Sequence, residues 1–88
     1  MKVEEILEEV KFYILNHKYE KAEELLKKAL SEYPNNEELL YNLGMLYELM
    51  LEDPKAEEIY NKILELYPEG KRFKDVKERL KRIEESQS

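Results

Sequence analysis

Few residues in this sequence could do chemistry, and their spacing assembles no reactive site. His17 is the only histidine and Cys is absent, which excludes thiolate chemistry and makes a metal site built from protein ligands improbable. His17 stands before Lys18 in a predicted turn, which is typical of an exposed surface histidine. Ser31, Ser86 and Ser88 have no general base arranged beside them by the local sequence, so no catalytic triad is indicated.

Carboxylate pairs are numerous, but they occupy positions that favour solvated surface groups. General acid–base catalysis needs a carboxyl group perturbed by burial or by a close partner. The pairs lie on the polar faces of predicted helices, at 4–5, 8–9, 23–24, 37–38 and 57–58. Gly44 and Gly70 do not form a glycine-rich phosphate loop. We therefore expect no enzyme, no metal and no cofactor.

Length and composition limit the chain to one small helical domain. It has 88 residues, of which 42% are hydrophobic and 41% charged, with only two Gly and three Pro. No apolar run reaches the roughly 20 residues that cross a bilayer. Met1-Lys2 is followed by Glu4 and Glu5 rather than by an apolar stretch, so no secretory signal is expected. These features predict a cytoplasmic protein.

The sequence repeats itself at an offset of 34 residues. Segment 21–24 (Lys-Ala-Glu-Glu) aligns with 55–58, Tyr33-Pro34 aligns with Tyr67-Pro68, and Tyr13 aligns with Tyr47. Chance similarity between two acidic amphipathic helices is the alternative explanation. The shared offset of the tyrosine pairs favours an internal duplication.

Hydrophobic periodicity and helix-capping residues predict five helices, at about 3–15, 19–32, 37–51, 53–66 and 71–85, followed by a frayed tail at 86–88. Asn36 is the predicted N-cap of the third helix, and Asp53 that of the fourth, with Pro54 at the first helical position. The third helix is apolar nearly all round, which predicts a central position. The fifth has one narrow apolar stripe among basic residues, as expected of a helix that closes a stack.

These residues resemble the tetratricopeptide repeat (TPR), whose pattern has a large apolar residue, Leu-Gly, Tyr, Ala, an aromatic and a closing Pro. The second copy follows this pattern closely, at Leu40, Leu43, Gly44, Tyr47, Ala56, Tyr60 and Pro68. The first copy is looser, with Ile6, Tyr13, Ala22, Leu26, Ala29 and Pro34 fitting and with Glu9 and Val10 in place of Leu-Gly. Ile63 stands where the family usually has Ala.

The resemblance implies an all-α solenoid of antiparallel helix pairs with about five helices, in a single domain spanning residues 1–88. Repeat one would be 3–36, repeat two 37–70 and the capping helix 71–85. Gly44 is expected to pack beside Ala56, where small residues let two helix backbones approach closely.

In this family the first helix of each pair lines a concave face on which peptides commonly lie. Positions one period apart would then form the partner-binding surface. The three columns are Leu7, Tyr41 and Asp75; Lys11, Met45 and Arg79; Ile14, Glu48 and Arg82. The nine residues predicted to bind the partner are the members of these columns other than Asp75, together with Asn42. Tyr41 and Met45 are predicted to be exposed there, and contact with neighbouring helices alone is the alternative. A ligand is expected to place an apolar residue near Tyr41 and Met45, and acidic groups near Arg79 and Arg82.

The carboxylate clamp of chaperone-binding TPR domains is not expected here. That clamp uses Lys, Asn, Asn, Lys and Arg. The matching positions are Leu7, Lys11, Asn42, Arg72 and Val76, so only Asn42 matches in kind and Arg72 is a substitute for Lys.

Charge is unevenly distributed along the chain. Residues 37–70 contain nine acidic and two basic side chains, for a net charge of −7, whereas residues 71–88 contain four acidic and seven basic, for +3. A basic last helix can indicate an anionic membrane, calmodulin or nucleic acid. With an overall charge of −6, we expect instead that this helix complements the acidic second repeat, with no nucleic acid or membrane partner.

The sequence thus predicts a non-catalytic protein–protein interaction module that binds a peptide or partner protein on its concave face. The alternative is a designed or idealised helical-repeat scaffold, or a self-associating unit, without a dedicated ligand. Repeat arrays generally need about three units to bury their faces, so a weak homo-dimer would supply missing burial. Phe12, on the open side of the first helix pair, is a candidate contact. High Lys and Glu content also suits a thermophilic protein.

Overall fold

The computed structural model describes residues 1–87 and contains five α-helices, in the segments where the sequence has helical periodicity. They are α1 (Val3–Leu15), α2 (Tyr19–Glu32), α3 (Glu37–Leu49), α4 (Asp53–Leu66) and α5 (Phe73–Gln87). Consecutive helices pack against each other, and α3 also contacts α1. No strand occurs in residues 1–87, so the predicted all-α helical solenoid is confirmed.

Helix α3 begins as predicted but ends two residues early. The Asn36 side chain accepts a hydrogen bond from the Leu39 backbone N–H at 3.0 Å, which confirms Asn36 as the N-cap. At the other end the chain turns left-handed at Leu51, with a φ of 59°, so the helix stops at Leu49. A left-handed residue just past a helix end lets the following amide reach back to an otherwise unpaired carbonyl.

The ends of α4 and α5 also differ from the sequence prediction. Asp53 is the first residue of α4 and Glu52 takes the N-cap position, because the backbone becomes helical one residue earlier than predicted. Helix α5 begins at Phe73, after turns at 68–72, and continues to Gln87. The Ser86 hydroxyl donates to the Ile83 carbonyl at 2.9 Å within the last turn, so Ser86 is helical rather than part of a frayed tail. Ser88 lies outside the described residues.

The turns after α1 and α3 are built in the same way, 34 residues apart. Both His17 and Leu51 have a φ of 59°. The next amide in each turn donates to a tyrosine carbonyl, from Lys18 to Tyr13 at 2.8 Å and from Glu52 to Tyr47 at 2.9 Å.

The tyrosines that follow α2 and α4 repeat a second contact. The Tyr33 hydroxyl donates to the Met1 carbonyl at 2.8 Å, and the Tyr67 hydroxyl donates to the Asn35 carbonyl. Both donors and both acceptors are one period apart. These recurrences support the division into repeats 3–36 and 37–70 with a closing helix, which stays a prediction.

The core is centred on α3. Seven α3 residues are buried, more than in any other helix: Leu39, Leu40, Tyr41, Leu43, Gly44, Leu46 and Tyr47. Full burial of one leucine contributes about 1.5–3 kcal/mol. Because neighbours cover α3 on several sides, nearly every position of the helix has to be apolar. The predicted central position therefore agrees with the structure.

The atoms nearest to a side chain at Gly44 belong to Tyr60, and the contact with Ala56 stays a prediction. A Cβ built on Gly44 would lie 2.8 Å from Cδ1 of Tyr60, and its three nearest atoms all belong to that ring. Tyr60 is fully buried. Glycine suits this position because α3 lies directly against the Tyr60 ring of α4.

Helix α5 closes the stack with one buried stripe, formed by Val76, Leu80 and Ile83 against α4. Its other positions are mostly charged, as expected of a helix that faces water on one side. Within residues 1–87 no helix combines the length and apolarity needed to span a bilayer.

Candidate functional site

A groove of about 650 Å³ runs between α1, α3 and α5. It contains seven of the nine residues predicted for the partner-binding surface: Leu7, Lys11, Ile14, Asn42, Met45, Glu48 and Arg79. Three further lining residues were not predicted: Glu8, Leu15 and Leu49. Helical spacing and the period of 34 together bring these residues to one surface, since α1 and α3 present equivalent positions to the same side.

Apolar side chains remain open to solvent along this groove. Leu15 is 70% exposed and Leu49 is 51% exposed, whereas Leu7, Ile14 and Met45 are half-buried. Leu15 and Leu49 are exactly one period apart in the last turns of α1 and α3. The signal for these two was present in the sequence, because both copies keep leucine at a position that the core does not use.

The α3–α5 wall of the groove is held by an ion-pair network. Arg79 donates from Nη1 to Glu48 and from Nε to Asp75, both at 3.1 Å. Glu48 also accepts the Tyr60 hydroxyl, which ties the groove wall to α4. Arg79 thus already donates to two carboxylates, which compete with any acidic ligand for its N–H groups.

Tyr41 is part of this network and is not exposed, contrary to the prediction. Only 5% of it is accessible, and its hydroxyl donates to Asp75, one period further along the chain. The guanidinium of Arg72 lies 4.3 Å above its ring, and that of Arg79 lies 5.7 Å away. Helix α5 therefore covers Tyr41, because a phenol can fill an interhelical space while its hydroxyl reaches a carboxylate.

Arg82, the remaining predicted residue, is exposed and lies outside the groove lining. Helix α5 contributes only Arg79 to the lining. The expectation of an acidic ligand near Arg79 and Arg82 is therefore not supported by their positions.

A second ion pair joins the beginnings of α3 and α5. Arg72 donates to both carboxylate oxygens of Glu38, each at 2.9 Å, in the bidentate geometry favoured by guanidinium and carboxylate. Val76 of α5, which was also compared with the chaperone clamp, is fully buried. Asn42 donates to the Glu38 carbonyl at 2.8 Å while lining the groove. Arg72 and Val76 are thus committed to holding α5 in place.

The network changes the acidity of its members. The hydrogen bond from Tyr41, reinforced by Arg79, holds the pKa of Asp75 below its usual value. The hydrogen bond from Arg72 lowers the pKa of Glu38 in the same way. Burial, together with the Asp75 hydrogen bond, raises the pKa of Tyr41, so this phenol stays protonated as a donor. All of these shifts stabilise the charge states that the ion pairs require.

Lys11 differs from Arg79 because it lies in the groove without a carboxylate partner among residues 1–87. Elsewhere in the described chain, no group of three or more His, Asp or Glu residues is placed to hold a metal ion. His17 is exposed, with its Nδ1 3.1 Å from the Tyr19 hydroxyl. The groove offers apolar contact and charge recognition.

Comparison with known proteins agrees with this architecture. A model of the tetratricopeptide repeat family matches residues 13–80, which is most of the chain. The chain belongs to the tetratricopeptide repeat family. No curated protein and no solved structure gives a significant match. TPR repeats generally mediate protein–protein interactions and are generally non-catalytic.

Proposed function

We propose that this TPR protein binds a segment of a partner protein in the groove between α1, α3 and α5. The observation that carries the proposal is the row of accessible apolar side chains on α1 and α3, above all Leu15 and Leu49. Exposed apolar surface that the core does not require is typical of an interaction site. The polar groups around it would orient the bound segment.

The proposed ligand is an apolar segment with an acidic side chain. Its apolar residues would contact Leu7, Met45 and Leu49, and its carboxylate would pair with Lys11. Lys11 takes this role instead of Arg79, because the two carboxylates that already hold Arg79 compete with any incoming acid. Breaking those pairs would leave half-buried charges uncompensated, which opposes binding.

A displayed library of random peptides provides the test. Peptides selected on the wild-type protein would be titrated against Leu49→Glu, with Leu66→Glu as the matched control on α4. Leu66 is 41% exposed and lies outside the groove, so both substitutions place a carboxylate at an accessible leucine. We expect Leu49→Glu to weaken binding at least about 10-fold, which corresponds to roughly 1.4 kcal/mol, and the control to leave it unchanged.

A Lys11→Glu variant tests the acidic preference separately. Selected peptides rich in Asp or Glu should lose affinity for this variant. If selection gives only peptides that bind both leucine variants equally, or gives none, the groove is not the binding site and the ligand-free scaffold becomes the better explanation. A Tyr41→Ala variant is unsuitable, because removing a buried ring perturbs the fold itself.

A further inference from the structure

The first helix pair has a second surface, on the side away from α3. We call it the open face. It includes Phe12 and a cavity of about 200 Å³ lined by residues of α1 and α2: Glu9, Tyr13, Lys21, Glu24, Leu25 and Lys28. Glu5 lies on the same side of α1, since residues 5, 9 and 12 follow helical spacing. Phe12 is 60% exposed.

The equivalent surface of the second helix pair is buried. Leu46 occupies the position of Phe12 one period later and is fully buried, because α1 and α2 lie on that side of α3. Leu80, two periods after Phe12, is only 6% exposed. At the two positions equivalent to Phe12, Leu46 and Leu80, the side chain is therefore covered by a neighbouring helix.

The hydrogen bonding of the paired tyrosines shows the same difference. The Tyr47 hydroxyl donates to Glu23 of the preceding helix α2 at 2.8 Å. Tyr13, one period earlier, reaches only Glu9 of its own helix, at 3.4 Å. A carboxylate arriving from outside would give the Tyr13 hydroxyl the partner that Glu23 gives to Tyr47.

The charges of the open face suit a second copy of itself. Glu5 and Glu9 lie on α1, whereas α2 contributes Lys21 and Lys28 together with Glu24 and Glu32, so lysines of α2 are available to the glutamates of α1. These six residues have a net charge of −2, against −7 for segment 37–70. Two copies therefore meet weaker repulsion here than they would at the acidic segment. An aromatic residue inside a charged rim is also typical of interfaces.

We propose that two copies of this chain pair through their open faces, with α2 of each copy lying on α1 of the other. A two-fold axis parallel to the helices produces this arrangement, and it makes every contact occur twice. Phe12 then packs on Leu25 of the second copy, and the Tyr13 hydroxyl donates to Glu24 of the second copy. The glutamates of α1 face the lysines of α2 across the interface.

Sedimentation equilibrium of the full chain from micromolar to millimolar concentration tests the pairing. The wild-type protein should show a monomer–dimer equilibrium. Phe12→Glu should raise the dimer dissociation constant at least about 10-fold. Leu66→Glu and the groove variant Leu49→Glu should leave it unchanged. Because Phe12 is mostly exposed, the variant should keep its helical content by circular dichroism.

A charge-exchange pair tests the arrangement of the two helices. One variant carries Glu5→Lys and Glu9→Lys, and the other carries Lys21→Glu and Lys28→Glu. Each should be monomeric alone, and a one-to-one mixture should regain a dimer. A wild-type protein that stays monomeric at millimolar concentration overturns the proposal, as does a dimer that resists Phe12→Glu. A dimer that is broken by Leu49→Glu instead would place the contact in the groove.

Discussion

Replacing Gly44 with alanine tests the close contact between α3 and the Tyr60 ring of α4. In an ordinary helix this change stabilises by roughly 0.5–1 kcal/mol, because glycine loses more backbone entropy on folding. Here the new methyl group would lie 2.8 Å from Cδ1 of the buried Tyr60 ring, well inside van der Waals contact. Overpacking of this kind costs about 1–3 kcal/mol.

The two effects together predict a net destabilisation of about 0–2 kcal/mol for Gly44→Ala, and a larger one for Gly44→Leu. Urea unfolding followed by circular dichroism measures it. The same alanine introduced into a Tyr60→Leu background should stabilise by up to about 1 kcal/mol, because the ring is gone and only the propensity gain remains.

The difference between the two backgrounds is the coupling free energy between positions 44 and 60, and it should be about 1–3 kcal/mol. The reasoning fails if Gly44→Ala stabilises the wild-type protein by the full propensity gain. Equal effects in the two backgrounds would likewise assign the cost of Gly44→Ala to something other than the Tyr60 ring.

The structure also predicts the direction in which two further substitutions change the stability of the protein. The folded-state pKa of Asp75 lies below its unfolded value of about 3.9, so its stabilising contribution is present above that pH and is lost as the pH falls through the folded pKa. Between pH 7 and pH 3 the free energy of unfolding should therefore fall less steeply for Asp75→Asn than for the wild-type protein. The difference between the two should be under about 1 kcal/mol, because Asp75 is partly exposed. Parallel curves at pH 7, 4 and 3 would argue against this role of Asp75. Leu51→Gly should increase the free energy of unfolding by about 0.5–1 kcal/mol and so raise the melting temperature. The reason is that the Leu51 backbone is in the left-handed conformation and its side chain is 88% exposed. A lower melting temperature would contradict that account of the turn.

Several features of this chain could be predicted from spacing alone. The 34-residue period and the apolar pattern predicted all five helices and the Asn36 cap, since both depend on residues close in sequence. They also predicted most of the groove, because residues one period apart take equivalent positions on successive helices. Helix ends were less accurate, as at Leu51, because a leucine gives no sign of a left-handed turn.

The burial of Tyr41 could not be predicted from spacing. Its helix position is the same as that of Leu7, which lines the groove, but Asp75 of α5 and Arg72 of the preceding turn cover it. Whether a residue on the concave side is open or covered depends on the angle at which the next helix packs. That angle is decided by contacts between residues far apart in sequence, such as Arg72 with Glu38.

The sequence by itself determined that this protein is a stack of helix pairs whose equivalent positions recur every 34 residues, because helix formation and hydrophobic periodicity are local properties. Only the tertiary structure decided which of those positions stay open. Packing of α5 onto α3 and α4 removed Tyr41 from the surface and committed Arg79 to two carboxylates, and it left Lys11, Leu15 and Leu49 accessible. The physical reason is that burial and ion pairing depend on which side chains meet across helices, and the same residue types can meet water or protein at positions that look alike in sequence.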